Sequence, residues 1–154
     1  MDREKLQTDN DRKKEYLKSY RKHVRRIHRI NAEIEELRMM KMCPSMKPDD
    51  GMPHGSGGQG DLSGYAGDLD EMIQELINER YLRIKTYQQM VRQIKRLKSE
   101  NEKDVLFYRY IKGMEWYEIA EMMGYSERWI HKLHGKALVH FELPKEFIEV
   151  QSEV

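Results

Sequence analysis

The chain has 154 residues, 38% apolar and 36% charged, with a formal net charge of +1. With a mean hydropathy of -0.91, that balance suits long solvated helices better than one thick core. No apolar run approaches the ~18 residues that a membrane-spanning helix needs, and the opening MDREKLQTDNDRKK carries no apolar signal segment. The single cysteine, Cys43, excludes an internal disulfide framework and fits a reducing cytoplasm, the location expected for this chain.

The small net charge conceals polarisation. From Arg12 to Arg29 there are nine Lys or Arg and one acid, Glu15; from Arg80 to Lys98 there are seven and none. Asp49 to Glu75 and the tail from Glu142 lean acidic. Basic blocks track phosphate and acidic ones repel it, so local charge says more than the sum.

In chain order, residues 1–42 predict one long basic amphipathic helix. Tyr16, Tyr20, His23, Ile27, Ile30, Ile34 and Leu37 recur at spacings of three and four, and no Pro or Gly interrupts before Pro44. Residues 43–68 follow, with three prolines, seven glycines and almost no periodicity, and read as a flexible linker. Cys43 and His54 share this linker, but no CxxC or HxxxH completes a four-ligand set, so no metal centre is expected.

Residues 69–100 predict a second long helix, with Ile73, Leu76, Ile77, Ile84, Tyr87, Val91, Ile94 and Leu97 as its stripe. Two striped helices around a loop fold back as an antiparallel hairpin, or their stripes pair between chains as a coiled-coil dimer. The first costs little loop entropy, and the two arrangements are compatible.

Residues 101–141 predict a three-helix module, and 142–154 an acidic tail that is short or frayed. VLFYRYIKG ends at Gly113, and EWYEIAEMMG at Gly124. Glu115 stands where the second of these helices begins and is a poor cap, whereas Ser126 is a good one for SERWIHKLHGKALVHF. Ile119, Ala120 and Met123 would face Ile130, Leu133 and Ala137 across a corner plugged by Tyr125, a helix-turn-helix pattern. Glu127, Arg128, Trp129, His131 and Lys132 then point outward, followed one turn on by His134 and Lys136. The first turns of such a helix enter a major groove. Arg128 and Lys132 suit guanine edges or phosphate, Trp129 a sugar or thymine methyl, and Ser126 with the free N–H groups a phosphate. Helix corners also occur as plain core elements, in which Trp129 would be buried against the hairpin. No phosphate loop, nucleophile elbow or paired-carboxylate motif is present, so neither catalysis nor a cofactor is expected.

The stretch VLFYRYIKGMEWYEIAEMMGYSERWIHKLHGKAL resembles region 4 of bacterial sigma-70 factors, the helix-turn-helix that reads the promoter −35 element. Together with GMPHGSGGQGD it resembles more closely a group of small phage and prophage proteins of Firmicutes, some grouped with ArpU- or RinA-type late-gene regulators. The resemblance implies an all-α, non-enzymatic, sequence-specific regulator of phage transcription. Its partner would be double-stranded promoter or operator DNA, faced by Glu127, Arg128, Trp129, His131 and Lys132, to which the reading of the residues adds Ser126 and Lys136. RNA polymerase is a candidate second partner, and the long helices a route to homo-oligomers. Sigma factors commonly place Arg-Glu-Arg where this chain has Glu127-Arg128-Trp129, so their base preference does not transfer. A small terminase-like packaging subunit would also join a helix-turn-helix to an oligomerising coiled coil. An interaction adaptor that never touches DNA is the third alternative.

Overall fold

The computed structural model describes residues 2–41 and 57–146. Among them the chain is helical throughout, without a strand: α1 (Arg3–Lys41), α2 (Gly57–Lys95), α3 (Glu100–Leu106) continuing as a π-helical turn over Phe107–Ile111, α4 (Trp116–Met123) and α5 (Glu127–His140). Helix α2 starts at Gly57, upstream of the expected Leu69, so the last part of the expected linker is helical backbone. The rest of that linker, with Cys43 and His54, lies outside the described residues.

Helix α2 also stops earlier than expected, at Lys95 and not at residue 100. Ser99 begins a separate helix: its Oγ accepts the Glu102 backbone N–H at 3.3 Å. Ser-x-x-Glu is a capping signature that the run of apolar residues upstream had obscured.

The chain divides into two compact units, Met1–Lys22 with Arg83–Val154, and His23–Leu82. In the second unit α1 and α2 pair antiparallel within one chain. Ile27, Ile30, Ile34 and Leu76 bury one another, with Leu69, Met72 and Ile73 packed alongside. Glu79 Oε2 lies 2.9 Å from His23 Nδ1, and Arg26 Nη1 donates to Glu79 Oε1 at 3.3 Å.

Two interleaved heptads run along α2, and burial follows the one through Leu76, Arg83 and Met90, which continues to Leu97 just past the helix end. Ile77 and Ile84, expected inside, are 53% and 57% exposed. A pair of helices makes only a narrow seam, too narrow for both registers. Polar seam positions are satisfied: Arg83 Nε donates to Tyr20 Oη at 3.1 Å, and Gln93 Nε2 to the Glu142 carbonyl at 2.9 Å.

In the first unit, the N-terminal half of α1 packs on the end of α5. Leu17, Met90, Leu106, Leu138 and Phe141 are fully buried, and the Tyr16 ring stacks on Phe141 with centroids 6.1 Å apart. Lys13 Nζ donates to the carbonyls of Leu138 at 2.8 Å and Val139 at 3.3 Å. These belong to the last turn of α5, whose carbonyls have no partner within the helix. The first part of the expected tail is packed too: Glu142 takes the Gln93 bond, and Gln89 Nε2 donates to Glu146 Oε2 at 3.4 Å.

Truncating Leu17 to Ala removes a fully buried side chain and is expected to cost about 3 kcal/mol in urea unfolding. Lys13→Met, which leaves carbonyls unpaired but keeps the aliphatic stem, should cost about 1 kcal/mol. If Leu17→Ala unfolds with the wild type, docking of α1 is not what holds this unit together.

Candidate nucleic-acid interface

The corner between α4 and α5 is built by three residues. Gly124 takes a left-handed backbone, φ +73°, and the following Tyr125 N–H reaches back to the Ala120 carbonyl at 3.0 Å. That is a Schellman ending, which a side-chain-bearing residue would strain. Ser126 then caps α5, its Oγ accepting the Trp129 N–H at 3.1 Å. Glu115, which precedes α4, makes no side-chain cap. Ile119 and Ala120 pack against Val105, Ile130 and Leu133, with Tyr108, Met114, Trp116 and Met123 around them.

This packing sets the rotation of α5. Ser126, Glu127, Arg128, Trp129, His131, Lys132 and Lys136 are all exposed. Lys136 Nζ sits 5.3 Å from the centre of the Trp129 ring, so indole and ammonium form one surface feature beside Arg128 and Lys132. Tyr125 does not plug the corner: it is 40% exposed, its ring is 6.4 Å from that of Trp129, and its hydroxyl accepts from Asn101 Nδ2 at 3.2 Å. With Ile119, Ile130 and Leu133 meeting directly, the corner has no room for a phenol.

His134 corrects the sequence reading more deeply. It does not point outward with Lys136 but is 8% exposed. Its Nε2 and Tyr110 Oη share a hydrogen bond of 2.6 Å, and the Trp116 ring stands edge-on to it at 4.7 Å. Trp116 touches His131 at the same centroid distance, and Arg109 covers the indole with its guanidinium carbon 4.3 Å from the centroid. Arg109 is fixed by Nη1 donating to the Met114 carbonyl at 2.9 Å. Arg109, Tyr110 and Trp116 escaped the sequence reading. The signal for His134 was present: it lies one turn after Ile130, on the inward side.

Burial pushes the His134 imidazole down to about 4, with the positive charges of Lys14, Arg109 and His131 adding to the effect. Burial likewise holds the Tyr110 hydroxyl up at about 12. The pair is therefore neutral at physiological pH, and the polar contact inside the module carries no charge.

Residues 99–140 match the family model of Sigma-70, region 4. No curated protein and no solved structure matches the chain. The match covers the C-terminal helices only, 42 of the 154 residues, and is to a helix-turn-helix family that binds DNA. The match begins at Ser99, the cap of α3, and ends at His140, the last residue of α5. Among the described residues no group of His, Cys, Asp and Glu is placed to hold a metal ion, and no helix is long and apolar enough to cross a membrane.

Because folding lowers the His134 pKa, its neutral form contributes stability that is complete above the unfolded value near 6.5 and is lost as pH falls towards 4. Between pH 7 and 4.5 the wild type should lose about 2 kcal/mol more than His134→Gln, measured by urea unfolding at each pH. Equal losses would show that this imidazole is not held neutral by the fold.

Proposed function

We propose that this chain is a sequence-specific DNA-binding regulator of phage or prophage transcription, and that α5 reads the major groove of a promoter or operator. The observation that carries the reading is the cationic, exposed face of α5 on a module that matches sigma-70 region 4. Arg128 and Lys132 are one turn apart and supply donors for guanine edges or phosphate. Ser126 and the first N–H groups of α5 suit a phosphate at the helix start. Trp129, with Lys136 against its face, offers apolar contact to a sugar or thymine methyl. Glu127 at the first exposed position supplies an acceptor for a cytosine amino group.

The phage assignment is supported by the likeness of GMPHGSGGQGD and YSERWIHKLHGKAL to small Firmicutes phage regulators. RNA polymerase as a second partner is supported by the sigma-type module. Apolar side chains exposed on α2, Ile77 and Tyr81 among them, support self-association through the long helices.

The test is selection of bound fragments from a host genome, followed by affinity measurement on a selected fragment. Arg128→Ala with Lys132→Ala should weaken binding about 10- to 100-fold and flatten the preference for that fragment over random DNA. Unchanged retention would leave a protein adaptor as the better description. A closed ring of many copies in native mass spectrometry would favour a packaging subunit.

A further inference from the structure

Lys14, Lys18 and Lys22 follow one another at intervals of four residues on α1. Like charges at that spacing repel and weaken a helix, whereas a merely solubilising face alternates signs. The one acid inside the run is Glu15. Its carboxylate lies 4.0 Å from Lys18 Nζ and 3.6 Å from Lys22 Nζ, with all three side chains more than half exposed. Ion pairs in such solvent contribute little, so the face stays cationic. Asp11, one turn before Glu15, marks its upstream limit.

This face belongs to the same compact unit as α5. Lys13, the neighbour of Lys14, donates to the carbonyls of Leu138 and Val139, so α1 runs against the flank of α5. On that flank His134 is within reach of the charges of Lys14, Arg109 and His131, contributed by three different elements. His131 is itself on the exposed face of α5. Arg109 and Arg21 have other work: Arg109 holds the Met114 carbonyl, and Arg21 lies against Gly113 with Nη1 donating to the Ile111 carbonyl at 3.5 Å. On the stretch of α1 that packs beside α5, Lys18 and Lys22 are exposed and Lys14 is half-buried on the flank towards His134. Over two helical turns they cover ~12 Å, the rise of three to four base pairs at ~3.4 Å each.

We propose that Lys14, Lys18 and Lys22 form a second, sequence-independent surface that grips the phosphate backbone of the duplex read by α5. The inference rests on the DNA-binding reading of α5 but adds a contact outside the 42 residues from 99 to 140 that match the family model. Affinity is then divided between two elements. Helix α5 supplies the choice of sequence, and α1 supplies counterion release on any sequence.

The experiment measures affinity of the full chain for a genome-selected fragment and for random DNA from about 50 to 200 mM salt. The triple variant Lys14→Gln, Lys18→Gln, Lys22→Gln should bind both DNAs more weakly by the same factor. Its plot of log affinity against log salt should be shallower by about 0.9 for each phosphate that is no longer neutralised, two to three in all. Lys→Arg at the three positions should restore the slope. Two of the changes are fully exposed, Lys14 is half-buried, and all three relieve repulsion within α1, so loss of folding is not the expected cause, and circular dichroism checks this. A slope equal to that of the wild type overturns the proposal while leaving α5 as the reader. A wild type that binds neither DNA overturns the reading of α5 and this proposal with it.

Discussion

The end of α5 depends on an ammonium group that comes from far away in the sequence. The last turn of an α-helix presents carbonyls with no partner and the negative end of the helix dipole. In α5 these carbonyls meet Lys13 of α1, which donates to two of them. Burial lowers the Lys13 pKa, an effect that the carboxylates of Asp9 and Glu142 oppose in part. Phe141, the residue after the helix, is driven into the core against Tyr16. Gln93 of α2 takes the carbonyl of Glu142, two residues beyond the end of α5. The exit of α5 is thus fixed by side chains from both long helices.

With one end held in this way, the rest of the module sets which face of α5 is seen. Ile130, Leu133 and Ala137 define an apolar side, and His134 extends it with a polar ring that must be neutral and hydrogen-bonded to be there. Trp116 wedges against both His131 and His134, with Arg109 on its outer face. Any rotation of α5 that hid Arg128 would expose Ile130 and break the Tyr110–His134 bond. The orientation of the cationic face follows from the dry side opposite it. Glu102, buried near the start of α3, accepts from His140 Nδ1 at 2.9 Å and ties the far end of α5 to the beginning of the module.

Much of this was legible in the residues. The Gly124–Ser126 corner follows from rules about left-handed glycine and serine caps, and the exposed face follows from a period of 3.6. What was not legible has physical reasons. The position of His134, one turn after Ile130, pointed inward, but its partner did not show in the residues: an imidazole can be buried when a phenol is there to pair with it, and only tertiary structure brings Tyr110 within reach. On α2 the apolar residues mark two registers equally well, and the choice was made by partners on α1: Tyr20 accepts from Arg83, and His23 meets Glu79. The first helix of the module was expected from VLFYRYIKG, but its start at the Ser99–Glu102 cap was hidden because the apolar spacing runs on through Leu97.

The family match covers residues 99–140, but the core that supports them does not stop at Ser99. Leu106 and Leu138 are fully buried in a unit that also contains the buried Leu17 and Met90 of the long helices, and the bonds closing α5 start from residues 13 and 93. A small three-helix module has little interior of its own. Here two long helices enlarge it, and the basic flank of α1 is carried beside α5 as a direct consequence of that packing. Leu17 and Lys13 stabilise the module, and because Lys14 and Lys18 are their neighbours on the same helix, the interaction that holds the fold together also sets where the additional positive charge is displayed.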